Sequence, residues 1–503
     1  MQFIVSFIIA SIAFYIGYAK YIILISYGYT SDIFIYDQVL QETLRGNFGL
    51  EFTYGNQFGD HALVFLLLLL PLKKIFSGNM IYLLISMGPV LYGLVGIILF
   101  RDLILKNKIF PSLILLSIYM LSFSCFRSLL EFLYGCHLDM LSGFFAILFS
   151  LFLIRMRDVS IDNSSRRKYL LYFWMSYLIF LSLKEEMSLL AIVFFSVSTY
   201  IFGKKDGKKI AISVFAFVIQ MIFIEYNVTD WNRSNTMLIM NSKIFFFPFL
   251  TGHVGYIVVV SYFCIVFISL LALTGIEAYA VCIFLIGLVK LLFGSIVNDF
   301  DITSWHNFPG IIMLTGGIIF QFARIYNVTS NKKINIIYAI MTATLAIFLF
   351  RFYCKDLHYI FYCKDLHYIE PVKGLSINGN ILDERKFYLH EIKRRINKKS
   401  VVAINGLTAI DWSDGYRYTS FQRGVSVSPT GISDYIINDK MIPHNRLELD
   451  STDLNKEFFL DHSNKYFDLY KRYSINYKNS MERRKFSALL NDLCLDKNTT
   501  FCD

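Results

Sequence analysis

Long apolar runs recur through the first 350 residues, and they restrict this chain to a helical membrane fold. Eleven runs are long enough, or nearly so, to cross a bilayer: 3–19, 79–100, 111–126, 138–154, 169–183, 187–202, 210–224, 253–273, 277–293, 308–323 and 334–350. A helical crossing takes about 20 residues, so the shorter runs must borrow flanking residues. Charged residues make up 17% of the sequence, below the roughly one quarter of soluble domains. The sequence predicts an all-α polytopic membrane protein.

A twelfth apolar stretch, 62–76, differs from the others. It contains Pro71 and ends in Lys73 and Lys74, and it is too short for a full crossing. We expect a re-entrant or interfacial helix in the first outer loop.

The loop charges predict the orientation. With the N-terminus in the cytoplasm and 62–76 not counted as a crossing, the cytoplasmic loops hold most of the Lys and Arg residues that follow residue 79. That is the bias of inner-membrane proteins, and an extra crossing would reverse it. Eleven crossings then place the C-terminal segment outside the cytoplasm. The net charge of +10 lies in these loops, so we expect no nucleic-acid partner.

The same orientation gathers many ionisable residues near the outer helix ends. They are Asp32, Asp37, Glu42, Asp60, His61, Glu131, His137, Asp139, Lys184, Glu185, Glu186, Glu225, Asp230, Asp299, Asp301 and His306. Such residues avoid lipid and face a bundle interior or water, so a polar cavity on the outer side is predicted. The alternative is that outer loops simply collect acids as inner loops collect bases.

The first outer loop contains YDQVLQETLRGNF, residues 36–48, which predicts a short amphipathic helix along the membrane surface. Asp37 would lie at its start, either as a simple capping residue or as a general base. Asp60-His61 and His137-Asp139 both enter apolar runs on the same side. Together they favour a site for phosphate, sugar or a divalent cation.

Two further motifs stand at outer helix ends. LSLKEEMSLL places Lys184, Glu185 and Glu186 between two apolar runs, either as a tight hairpin at the interface or as a site where Lys184 pairs with a lipid phosphate. TSWHNFPGI carries Trp305 and His306 into another run. Trp305 is typical of an aromatic belt.

The composition changes after Arg351, which predicts three parts: a membrane domain 1–351, a linker 352–370 and an extracytoplasmic domain 371–503. The linker is the nonapeptide FYCKDLHYI, present twice in tandem. In the tail, ILDERKFYLHEIKRRI predicts a helix and SVVAI and SDYIIND predict strands, so we expect a small α/β domain. Segments 453–460, 464–473 and 480–492 are expected to be helical.

In this order, YDQ, FGDH before a Leu-rich run, Tyr-Gly-x-His-x-acid, Leu-Lys-Glu-acid and a late His before Pro resemble a membrane-protein family catalogued as domain of unknown function 2079. The likeness covers roughly 30–350 and extends weakly into the tail. The sequence has Cys136-His137-Leu138-Asp139 where the family usually has Phe-His-Pro-Glu, so a shorter acid alters the reach of that motif.

That family is similar to integral-membrane glycosyltransferases with the GT-C architecture. The resemblance implies a polyprenyl-phosphate sugar donor, with Asp37 as the catalytic base and Asp32 as its substitute. Candidates for the donor phosphate are His61, His137 and Lys184; candidates for orienting the acceptor or a cation are Asp60, Asp139 and Glu185. Glu186 and His306 complete the expected binding site, and the acceptor would be a glycan or lipid. No cofactor is certain, although a divalent cation fits the carboxylates.

Two other functions remain open. A transporter or flippase of a lipid-linked or envelope component would use the same charges to line a passage, but it predicts them on both membrane faces and in two matching halves. A non-catalytic membrane assembly protein would use its outer domain to bind envelope components.

Overall fold

The computed structural model describes residues 2–27, 32–51, 55–76, 80–103, 119, 138–158, 161–228, 254–297, 308–328, 379–397, 400–404, 417–420, 433–439 and 458–473. Its helices are α1 (Gln2–Tyr27), α2 (Asp32–Leu44), α3 (Gln57–Asp60), α4 (Val64–Phe76), α5 (Met80–Leu103), α6 (Leu141–Met156), α7 (Asn163–Leu183), α8 (Glu185–Ser196), α9 (Gly207–Asn227), α10 (Val254–Thr274), α11 (Ala278–Val297), α12 (Phe308–Val328) and α13 (Gly379–Lys393). A 3₁₀ turn, Leu138–Met140, precedes α6, and a π-helical turn, Val197–Ile201, follows α8.

Nine of the eleven predicted apolar runs coincide with helices α1 and α5 to α12. The other two, 111–126 and 334–350, lie outside the described residues. Among those residues, one helix, Gly207–Asn227, is both long and apolar enough to cross a bilayer, and shorter apolar stretches lie within other helices. The number of crossings therefore stays a prediction. The stretch 62–76 forms the 13-residue helix α4 with Pro71 inside it.

The helices pack in neighbouring pairs: α1 on α5, α6 on α7, α8 on α9, and α11 on α12. Helix α6 lies at the centre, since every residue from Leu141 to Leu153 is buried. Its Phe149 contacts the rings of Tyr177, Phe180 and Phe194. Helix α9 instead exposes large apolar side chains along much of its length, among them Phe215 and Ile222. An apolar outer surface of this kind suits contact with lipid.

Glycines allow α11 and α12 to approach closely. A Cβ at Gly310 would lie 2.8 Å from the backbone nitrogen of Leu291 and 2.9 Å from the carbonyl oxygen of Gly287. A Cβ at Gly287 would in turn lie 2.8 Å from the backbone nitrogen of Leu314. Small residues at such crossings are typical of helices packed inside membranes, where close van der Waals contact drives association.

The tail contains a five-stranded sheet beside α13. Its strands are β3 (Val401–Ile404), β4 (Arg417–Ser420), β5 (Tyr435–Asp439), β6 (Phe458–Ser463) and β7 (Phe467–Arg472), and a separate short hairpin after α2 pairs β1 (Leu50–Glu51) with β2 (Gly55–Asn56). The order is β4-β3-β5-β7-β6, with β3 parallel to β4 and β5, and β7 antiparallel to its neighbours. The predicted helix and both predicted strands are present, so the tail is α/β.

The helix expected over 464–473 is wrong, because β6 and β7 form an antiparallel hairpin there. Of the helix expected over 453–460, residues 458–460 belong instead to β6, and residues 453–457 lie outside the described part of the chain. In β7 Phe467 and Leu469 are buried and Asp468 and Tyr470 are not, so burial over these four residues alternates as in a strand. The turn is closed by Asn464, whose side-chain oxygen accepts from the backbone nitrogens of Tyr466 and Phe467. The segment 480–492 and the linker 352–370 lie outside the described residues.

Candidate functional site

A buried ion pair joins α2 to α4. Asp37 lies on α2 and is 1% exposed, Lys73 lies on α4 and is 4% exposed, and the lysine Nζ lies 2.6 Å from the aspartate Oδ1. The two helices pack against each other. Asp37 is not a capping residue at the helix start, as one reading of the sequence had it, because α2 begins five residues earlier at Asp32. Charges this deeply buried are stable only when they are paired.

The end of α2 is held by a second buried carboxylate. Glu42 is 1% exposed, accepts from Asn47 Nδ2 at 2.9 Å and pairs with Arg45 Nη1 at 2.5 Å. Gly46 follows with φ of 99°, a conformation that glycine adopts without strain. These contacts fix the loop that leaves α2, and so they hold the helix that carries Asp37.

His61 and Glu185 form a second contact, between the end of α3 and the hairpin that joins α7 to α8. His61 Nδ1 lies 3.1 Å from Glu185 Oε1, and the other carboxylate oxygen accepts from the backbone nitrogen of Ala62 at 3.1 Å. Both side chains are partly exposed, His61 by 35% and Glu185 by 19%. The predicted meeting of the FGDH and Leu-Lys-Glu-acid motifs is thus present for this pair.

The neighbouring carboxylate, Glu186, lies between two lysines. Its Oε1 lies 2.5 Å from Lys290 Nζ and 3.9 Å from Lys184 Nζ. Lys290 lies on α11 and is only 2% exposed. Lys290 was not among the site residues predicted from the sequence. A single lysine inside the apolar run 277–293 is nevertheless a recognisable signal, since charges inside such runs face polar partners.

The structure therefore brings His61, Lys184, Glu185 and Glu186 together and adds Lys290. Asp37 belongs to a separate pair. Its partner Lys73 is nine residues beyond the start of α4, which places it about 14 Å along the helix axis from the end of α4 that follows His61. That the two groups share one cavity stays a prediction. The backbones of Asp32, Asp60 and Asp139 are described but their side chains are not, and His137 and His306 lie outside the described residues.

The predicted divalent cation also stays a prediction. Within the described part of the chain, no group of three or more His, Cys, Asp and Glu side chains is placed to hold a metal ion. The carboxylates of Asp37, Glu185 and Glu186 are instead each paired with a basic side chain.

Two solved structures have a similar fold. The crystal structure of ArnT from Cupriavidus metallidurans bound to undecaprenyl phosphate aligns with a TM-score of 0.51 and 8% identity, over 92% of this chain and 97% of that chain. ArnT in the apo state aligns with a TM-score of 0.50 and 10% identity over the same shares. At such identity the likeness shows the fold alone, which is mostly helical and GT-C-like.

No protein-family model and no curated protein matches the chain. Membership of the family catalogued as domain of unknown function 2079 accordingly stays a prediction.

Proposed function

We propose that the protein transfers a sugar from a polyprenyl-phosphate donor to a glycan or lipid acceptor at the outer face of the cytoplasmic membrane. The buried Asp37–Lys73 pair is the observation that carries this proposal. It places a potential base beside a potential phosphate partner, in a fold shared with ArnT, a membrane glycosyltransferase crystallised with undecaprenyl phosphate.

In the proposed reaction the acceptor hydroxyl attacks the anomeric carbon of the sugar. The bond from that carbon to the phosphate oxygen breaks, and the polyprenyl phosphate leaves with the electron pair. Asp37 takes the proton of the acceptor hydroxyl. Lys73 stabilises the negative charge that develops on the leaving phosphate, an effect that is strong where water is excluded.

The pair also explains how the base is kept ready. The Lys73 ammonium lies 2.6 Å from Asp37 and balances the charge of the carboxylate in these buried surroundings. A donor phosphate that binds Lys73 would draw the ammonium toward itself and leave the carboxylate available for the acceptor proton. Donor binding would therefore precede proton transfer.

In the second group, Glu185, Glu186 and Lys290 are assigned to the acceptor, and His61 and Lys184 remain proposed partners of the donor phosphate. The ion pairs of this group measure 2.5 to 3.9 Å, and His61 and Glu185 are partly exposed. Hydroxyl groups of a sugar acceptor suit such a mixture of donors and acceptors. Asp32, Asp60, His137, Asp139 and His306 remain proposed members of the binding site, as does a divalent cation.

A transporter or flippase is the second candidate, and Lys290 favours it. This lysine lies inside an apolar helix and is buried. In membrane proteins, ionisable residues inside apolar helices often mark the path of a transported ion or substrate.

Asp37→Asn tests the enzyme. The purified protein is given a panel of radiolabelled polyprenyl-phosphate sugars with membrane acceptors, and we expect the variant to lose at least a hundredfold of turnover while it still binds the donor. Asp162→Asn is the control, because Asp162 is an exposed cap of α7 at which asparagine caps equally well. Unchanged turnover in Asp37→Asn would remove the assignment of the base. Movement of the labelled donor from one leaflet of a vesicle membrane to the other, without sugar transfer, would support the transporter.

A further inference from the structure

A cavity of about 290 Å³ lies at the ends of α6, α11 and α12, beside the loop that precedes α9. Its charged lining residues are Arg155, Arg157, Asp158, Lys204, Glu277 and Arg324. Tyr279 and Phe320 add aromatic surface. Four basic and two acidic side chains leave the cavity with an excess of positive charge.

This cavity is far from the His61–Glu185 contact. Helix α9 begins at Gly207, directly after the loop beside the cavity, and ends at Asn227. The carbonyl oxygen of Asn227 lies close to Gly59 in α3, where an added Cβ would approach it to 2.5 Å. The 21 residues of α9 extend about 30 Å, which is the thickness of a bilayer's hydrocarbon core. The two polar regions thus lie at opposite ends of the bundle.

The acidic residues of the cavity do not neutralise all of its basic side chains. Arg155 pairs with Asp158 at 3.3 Å and Arg324 with Glu277 at 3.2 Å. Arg157 contacts Asp206 only at 3.6 Å, and its guanidinium lies 4.8 Å from the centre of the Tyr279 ring. Lys204 has no ion-pair partner among the residues that the structure describes.

We infer that this cavity binds a phosphate group, and that its ligand is the headgroup of an anionic phospholipid. Guanidinium groups match phosphate oxygens in geometry and charge. The volume equals that of about ten water molecules, which is room for a phosphate with a small headgroup. Basic pockets between helix ends are typical sites for such headgroups.

Two double variants, which change the net charge by the same amount, test the inference. Arg157→Gln with Arg324→Gln removes two guanidinium groups from the cavity, whereas Arg166→Gln with Arg167→Gln removes two exposed ones from the first turns of α7, outside the cavity lining. Lys204→Gln is a third variant that breaks no ion pair of the described residues and so guards against misfolding.

Binding is measured by native mass spectrometry and thermal shift with two probes, phosphatidylglycerol in phosphatidylcholine nanodiscs and inorganic phosphate in detergent. We expect phosphatidylglycerol affinity to fall at least tenfold in the cavity double variant and severalfold in Lys204→Gln, with Arg166→Gln/Arg167→Gln unchanged. Binding of inorganic phosphate alone would support the phosphate site and overturn the lipid. Equal losses in both double variants, or no response to either probe, would overturn the site.

Discussion

At the scale of single residues, Asp37 and Lys73 depend on each other, because both are more than nine-tenths buried. Their partnership crosses 36 positions of sequence. The pair therefore depends on how α2 packs on α4. Its contribution to the stability of the protein can be measured separately from its proposed catalytic role.

Lys73→Met is expected to lower stability by about 3–5 kcal/mol, because it leaves the Asp37 carboxylate buried without its ammonium partner. Unfolding in detergent, followed by circular dichroism, measures the loss. The double variant Asp37→Asn/Lys73→Met should recover much of it, since no buried charge then remains in the pair. A double variant as unstable as the single one would show that the pair is not coupled in this way.

Asp206 gives a pH dependence that can be measured at the other end of the bundle. Burial raises the pKa of Asp206, but hydrogen bonds from Lys209, Ser198 and Tyr279 outweigh it, and the pKa lies below its ordinary value. An unfolded aspartate has a pKa of about 3.9. The ionised group thus stabilises the folded protein above about pH 4, and this contribution is lost as the pH falls through the lower folded pKa.

We therefore expect Asp206→Asn to be less stable than the unsubstituted protein at pH 7, with the difference shrinking as the pH approaches 3. Melting temperatures of both proteins across this range provide the measurement. A difference that is constant with pH would mean that ionised Asp206 adds no stability.

At the scale of elements, the contact between α11 and α12 depends on glycine. The atoms nearest to an added Cβ at Gly310 belong to the backbone of α11, and a backbone cannot rotate away as a flexible side chain can. The crossing therefore tolerates hydrogen at this position and little else.

Gly310→Ala is expected to destabilise the protein by about 1–3 kcal/mol, because the two helices must move apart to admit the methyl group. Gly207→Ala is the matched control, since Gly207 is exposed at the start of α9 with open space around its Cβ position. The control should be neutral or slightly stabilising, because alanine is the better helix former. Equal melting temperatures for the two variants would contradict the close crossing.

The elements also show where local patterns are informative. Long apolar runs predicted helices α1 and α5 to α12, because a sustained run of this length has few other stable arrangements. The short stretches that became β6 and β7 were expected to be helices, since six residues contain less than two helical turns and show no clear period. Pairing of β7 with β5, and of β6 with β7, decided their conformation.

At the scale of the whole molecule, the orientation in the membrane rests on loop charges and has a direct test. Single cysteines are placed at Ser164, next to α7, and at Lys465, in the tail hairpin, in a chain whose native cysteines are replaced. A membrane-impermeant maleimide should label position 465 in intact cells and position 164 only after permeabilisation. The reverse labelling would invert the orientation and place the proposed reaction in the cytoplasm.

The sequence alone determined that the apolar segments described between residues 2 and 328 are helical, that the tail contains helix and strands, and that Asp37, His61, Glu185 and Glu186 are candidate site residues. These follow from local composition, because transfer of apolar segments out of water acts on each segment separately. Only the tertiary structure decided that Lys73 pairs with Asp37, that Lys290 reaches Glu186, and that arginines from two helices line one cavity. Such pairings depend on which helices become neighbours and in what register, and that choice arises from packing over the whole bundle, which no local pattern contains.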